Sequence, residues 1–85
     1  RNFMYLEIIT VEQTLFSGDV ESVTVPGTKG PFTILKNHAP IVSSLTKGTV
    51  KYKNNQAENK LKISGGFIKV NLDVITICLT SSERS

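Results

Sequence analysis

The 85-residue chain is short of most of what would announce chemistry or a membrane. It has one cysteine, Cys78, and one histidine, His38, with no tryptophan. A lone thiol cannot cross-link a chain to itself, so a disulfide framework is excluded and a reducing compartment fits best. One His and one Cys cannot build a structural zinc site without several carboxylates, so no metal is expected. No apolar run nears the ~20 residues a membrane helix needs. Glu7 interrupts the apolar opening stretch and no small-residue cleavage site follows, which argues against a secretory signal. Apolar spacing of three, four and seven is also missing beyond two turns, so long amphipathic helices are not expected.

What is present is β-branched sequence cut at short intervals by Gly, Asn, Asp and Pro. Residues 3–10 alternate, with Leu6 and Ile8 on one side and Glu7 on the other. Gly18-Asp19 reads as a tight turn. A strand over 20–26 has Val23 and Val25 inward and stops at Pro26, where Pro26 and Gly27 break the chain. Phe32 and Ile34 share a face, residues 36–38 turn, and 39–45 resume extended structure, Ala39 being held extended by Pro40. Lys47-Gly48 is a further turn. Residues 48–65 form a hairpin with one wet face, Val50, Tyr52, Leu61 and Ile63 alternating with Lys51, Lys53, Lys60 and Lys62. A loop over 54–59 sets Lys53 opposite Lys60 and Lys51 opposite Lys62, like charges that cost a few tenths of a kcal/mol each. Gly65-Gly66 suggests a bend or a close backbone approach. Residues 74–79 make the last strand, with Ile75, Ile77 and Leu79 on one side. About eight to ten short strands with regular turns predict an all-β sandwich or barrel. One domain spans 1–80, with a polar tail at 81–85.

Candidates for chemistry are few. His38 would need a nucleophile and an orienting carboxylate, and no spacing supplies them, although the fold could bring Asp19 or Asp73 near. The segment 27–30, Gly-Thr-Lys-Gly, lacks the rest of a phosphate-binding loop and no helix follows it. Net charge is only +3. Lys51, Lys53, Lys60, Lys62 and Lys69 could form a basic strip, which leaves a small nucleic-acid-binding barrel as the alternative function. That groove would want stacking aromatics, whereas Tyr52 and Phe67 fall on alternate positions that turn inward. No cofactor and no catalytic residue is expected.

The ordered residues from Glu12 to Val50 carry a resemblance. Glu12, Gln13, Phe16, Ser17 and Gly18 are followed by Gly27, Gly30, Ile34, His38, Ala39, Pro40, Leu45, Gly48 and Val50, then Ser64, Gly65 and Gly66. In that order and spacing they resemble the N-terminal domain of the epsilon-subunit family of F-type rotary ATP synthases, over residues 5 to 80. The resemblance implies a sandwich of two five-stranded sheets and a non-catalytic place in the central stalk. There the subunit turns with gamma and the membrane c-ring, on the cytoplasmic face of the bacterial inner membrane. It further implies that Thr10, His38 and Ser43 face gamma, and that Thr28, Lys29, Gly30 and Pro31 face the polar loops of the c-ring. Members often have an acidic residue where Pro31 stands, and Lys29 offers a contact of opposite sign. Many members continue into a helical hairpin that can inhibit hydrolysis and, in some, bind ATP. The expectation here is a short form, natural or truncated, without a nucleotide site or inhibitory arm.

Overall fold

The computed structural model describes residues 3–80, and among these every regular element is a strand. In chain order they are β1 (Met4–Ile9), β2 (Thr14–Val20), β3 (Ser22–Gly27), β4 (Gly30–Ile34), β5 (Ile41–Leu45), β6 (Gly48–Asn54), β7 (Ala57–Ile63), β8 (Gly66–Asn71) and β9 (Val74–Leu79). The polar tail expected at 81–85 lies outside the described residues.

The strands form one curled sheet in the order β2-β1-β9-β8-β5-β3-β6-β7, with β4 hydrogen-bonded to the free side of β3. Five strands, β2 to β5 along that path, make one layer, and β4, β3, β6 and β7 make the other. The expectation was two sheets of five; the described strands divide five and four. The layers are not separate either, because Leu45 pairs with Gly27 and carries the ladder from β5 into β3. The first and last strands, β1 and β9, lie side by side in parallel.

Alternation explains the core. Each strand sends every second residue inward. Leu6, Ile8, Ile68, Ile75 and Ile77 come from one layer and Val23, Val25, Ile34, Val50 and Ile63 from the other, all essentially inaccessible. Burying each such side chain contributes about 1.5–3 kcal/mol. No polar or charged residue is buried among the described residues.

Three local expectations fail, each for a readable reason. Gly18-Asp19 is not a turn: both sit inside β2, opposite Leu6 and Tyr5. The turn comes earlier, at Thr10–Gln13, where the Thr10 hydroxyl accepts the N–H groups of Glu12 and Gln13. Pro26 does not end β3, because that strand runs on to Gly27 and Pro26 pairs with Pro31, two residues with no N–H to waste on a ladder bond. In the β6–β7 hairpin the turn is only Asn55-Gln56, both left-handed at φ 52° and 65°. Left-handed two-residue turns match the twist of the flanking strands. Lys53 therefore meets Glu58 and Lys62 meets Thr49, so Lys51 opposite Lys60 is the one like-charge pair in this ladder.

The paired glycines behave as expected. Gly66 opens β8 at φ 153°, and a Cβ there would strike the Cys78 carbonyl oxygen.

Candidate subunit-interface site

One end of the molecule is built around the β3–β4 hairpin. Gly27 pairs with Gly30, leaving Thr28 and Lys29 as the two tip residues. Gly30 adopts φ 124°, a conformation that L side chains rarely take, with open space around its Cα. Thr28 is pinned to β5 twice. Its N–H donates to the Ser44 carbonyl at 3.2 Å, and its hydroxyl lies 3.0 Å from the Ser44 hydroxyl. Lys29 and Pro31 are exposed and make no ion pair among the described residues. Between this tip and β5 lies a groove of about 310 Å³, lined by Thr28, Phe32, Ile41 and Ser43 among others.

The opposite end carries the His38 corner. Its turn closes with the His38 N–H donating to the Leu35 carbonyl at 3.1 Å. Asn37 is left-handed at φ 71°, tolerable for asparagine. The imidazole Nδ1 donates to the Ala39 carbonyl at 2.7 Å, which fixes the tautomer and leaves Nε2 for a partner. Asp73, from the β8–β9 turn, braces this corner. Its Oδ1 accepts the Asn37 N–H at 2.8 Å and its Oδ2 accepts from Lys36 Nζ at 3.2 Å. These bonds, the backbone N–H first and the ammonium second, hold its carboxyl below the usual aspartate range. Asp73 thus stands next to His38 in space but spends its carboxylate on the two preceding residues. Asp19 lies in β2. No constellation of nucleophile, base and orienting acid forms among these groups, and no cluster of His, Cys, Asp and Glu suited to a metal exists among the described residues.

The ladder registers show which predicted positions meet. Thr28, Lys29, Gly30 and Pro31 stand together on one rim, and Ser43 lines the groove behind them. Thr10 follows Ile9, which pairs through Cys78 and Phe67 to Ser44, so Thr10 belongs to this same end. His38 precedes Ile41 at the far end, roughly 15 Å away at 3.3 Å per residue. The trio Thr10, Ser43 and His38 is therefore spread along the length of the five-stranded layer.

Phe67 is where the sequence reading goes wrong. Tyr52 does turn inward, its ring centroid 4.5 Å from that of Phe16. Phe67 does not: it pairs with Cys78 on the outer face and is 48% exposed, because Ile68 and Val70 take the inward positions of β8. With Ile9, Val11, Cys78 and Leu79 it lines a second, apolar groove of about 310 Å³. The signal was available in the alternation of β8, where Ile68 and Val70 are the apolar pair in phase. The five lysines are also divided. Lys51, Lys53, Lys60 and Lys62 lie on β6 and β7, and Lys69 lies on β8 of the other layer.

The match to known proteins is extensive. A family model described as the β-sandwich domain of the ATP synthase delta/epsilon chain covers residues 3–85. The chain belongs to this family. It is 39% identical over 80 residues to the ATP synthase epsilon chain of Dehalococcoides mccartyi, covering 94% of this chain and 57% of that one. It is 41% identical over 80 residues to the epsilon chain of Desulfosudis oleivorans, covering 93% and 60%. The chain thus spans less than two thirds of the length of these relatives. Its fold matches a chain in the Euglena gracilis mitochondrial ATP synthase OSCP/F1/c-ring structure with a TM-score of 0.88 at 21% identity, over 95% of this chain and 52% of that one. A chain of the Tetrahymena thermophila central stalk/c-ring structure matches with a TM-score of 0.76 at 13% identity, over 92% and 63%. The nucleic-acid alternative finds no support in these relatives. Within the epsilon family the all-β sandwich is the expected domain, and the residues of the motif take clear structural parts: Gly30 shapes the hairpin tip, Gly66 lets β8 approach β9, and His38 closes the corner.

Proposed function

We propose that this protein is a non-catalytic rotor subunit of an F-type ATP synthase, joining the gamma shaft to the c-ring and passing torque between them during ion-driven ATP synthesis. The observation that carries this reading is the match of nearly the whole chain to epsilon chains at 39–41% identity. The fold supports it: one continuous sheet links the hairpin tip to the His38 corner at the opposite end. The surface bearing Thr10, Ser43 and His38 faces gamma, and the hairpin tip of Thr28, Lys29, Gly30 and Pro31 faces the c-ring. The subunit is held through these partners at the cytoplasmic face of the bacterial inner membrane, without entering the bilayer and without a cofactor.

Co-expression with tagged gamma from the same organism tests this reading. Stoichiometric co-purification is the expected result. Its failure, with both proteins folded, overturns the proposal.

A further inference from the structure

Leu72 breaks two local rules at once. Among the described residues, five other than glycine have positive φ: Asn37, Asn55, Gln56, Leu72 and Asp73. Four of them carry polar side chains with an amide or carboxylate, three being the Asn and Asp that tolerate this conformation best. Leu72 is the apolar one, at φ 52°. It occupies the first central position of the two-residue β8–β9 turn, closed by the Asn71–Val74 pair. Asn, Asp and Gly dominate such positions. Leu72 is also 84% exposed, so its side chain returns little of the backbone cost through burial in this chain.

The tip that holds it is fixed from both sides. The Tyr5 N–H donates to the Asp73 carbonyl at 2.9 Å, and the Asp73 carboxylate ties the tip to Asn37 and Lys36. Leu35, 57% exposed, directly precedes Lys36 in the turn so tied. The Lys36–Asp73 ion pair satisfies the local charges internally. A rigid, apolar, locally neutral projection loses little entropy on docking.

We propose that Leu72 is an anchor residue that inserts into an apolar pocket of the shaft subunit, beside the contact made by the His38 corner. This rests on the rotor-stalk reading above. The shaft is the occupant because Asp73 bonds Leu72's turn directly to the turn containing His38, so a partner on one meets the other. A second copy of this chain fits poorly: two leucines at a rim fall far short of the ~800 Å² per partner that a stable dimer buries.

The test sets folding and binding in opposition. Leu72→Asn replaces leucine with a residue suited to the turn, so the melting temperature is expected to hold or rise. Its affinity for gamma, by isothermal titration calorimetry, is expected to fall at least tenfold, as for a buried anchor. Leu72→Met keeps the apolar bulk and is expected to bind within about threefold of the unaltered protein. Equal affinity for Leu72→Asn overturns the proposal, as does a melting point lowered by several degrees, which would assign Leu72 to the fold. So does Leu72→Met binding as weakly as Leu72→Asn, or sedimentation showing a dimer that Leu72→Asn dissolves. If the unaltered protein itself ignores gamma, the rotor-stalk reading fails first; if it binds and Leu72→Asn binds equally, only the anchor fails.

Discussion

Asp73 shows how much one side chain can organise. It lies in the β8–β9 turn, yet its two carboxylate oxygens determine the shape of the Leu35–His38 turn 36 residues away in sequence. Removing it in Asp73→Ala leaves the Asn37 N–H without its acceptor. The expected outcome is faster amide exchange at Asn37 and weaker gamma binding, with the core amides unchanged. Asp73→Asn retains an oxygen for that N–H and restores most of the protection. The titration has a definite sign. The carboxyl is held below its unfolded value, so the folded state binds fewer protons there. Its contribution is present above about pH 4 and is lost as acid protonates the folded group. Acid unfolding of the Asp73→Asn protein should therefore depend less steeply on pH below 4 than that of the unaltered protein. An identical acid limb in both would contradict this. None of this is visible in the sequence, which offers Asp73 and Asp19 equally as carboxylates for His38. The pairing is between loops, and loop-to-loop contacts have no period to betray them.

Individual strands were far more legible, because burial imposes a period of two. Leu6 and Ile8, Val23 and Val25, and Ile75 and Ile77 were placed on the inner side and are inaccessible in the structure. What misled was the reading of glycine, proline and asparagine as breaks. Gly18 sits mid-strand, where a Cβ would press within 3.3 Å of the Phe16 ring, so it marks packing and not a turn. Phe16 in turn packs against Tyr52 across the layers, the rings tilted by 42°, and burial pushes the Tyr52 hydroxyl's pKa up. The hairpin loop was drawn four residues too long, and that slip alone reversed the partner of Lys53 from Lys60 to Glu58. Gly65-Gly66 was legible in kind, and its partner strand was not. In Gly66→Ala the new methyl meets the Cys78 carbonyl at a φ of 153°, so β8 must move off β9. Such strain costs about 2 kcal/mol or more. For a domain of this size the melting point should drop by roughly 10 °C, read by calorimetry. A shift under about 2 °C would mean the β8–β9 approach is looser than described.

At the scale of the whole molecule, the proposed rotor role requires a part that resists shear between the surfaces it joins. Here the hairpin tip and the His38 corner lie at opposite ends of one continuous hydrogen-bonded sheet. The path runs from β3 through the Gly27–Leu45 pair into β5 and on to β8 and β9. A packed interior deforms little, so a push at one end arrives at the other. An all-β fold of about eight to ten short strands was readable from the sequence pattern, which left sandwich and barrel open; the two layers came from the family resemblance. The Gly27–Leu45 ladder pair between β3 and β5 was not readable, since one bridge leaves no pattern. The tip itself should act through charge. Lys29 is its one ionisable side chain, exposed and without an ion pair among the described residues. If the tip meets the ring as proposed, the charge it offers there is a cation. Lys29→Glu should leave the melting point within the scatter of ordinary surface changes, about 0.5 kcal/mol. It should weaken binding of the gamma-bound subunit to isolated c-ring by up to about fivefold, the equivalent of roughly 1 kcal/mol for an exposed pair. Because the tip is wet, that difference should shrink markedly between 0.05 and 0.3 M salt, as the Debye length drops below about 10 Å. A Lys29→Glu protein that binds the ring as well as the unaltered one at low salt would remove Lys29 from the contact. A defect that persists undiminished at high salt would mean the tip is buried against the ring, and that its Thr28–Ser44 brace, not its charge, carries the load.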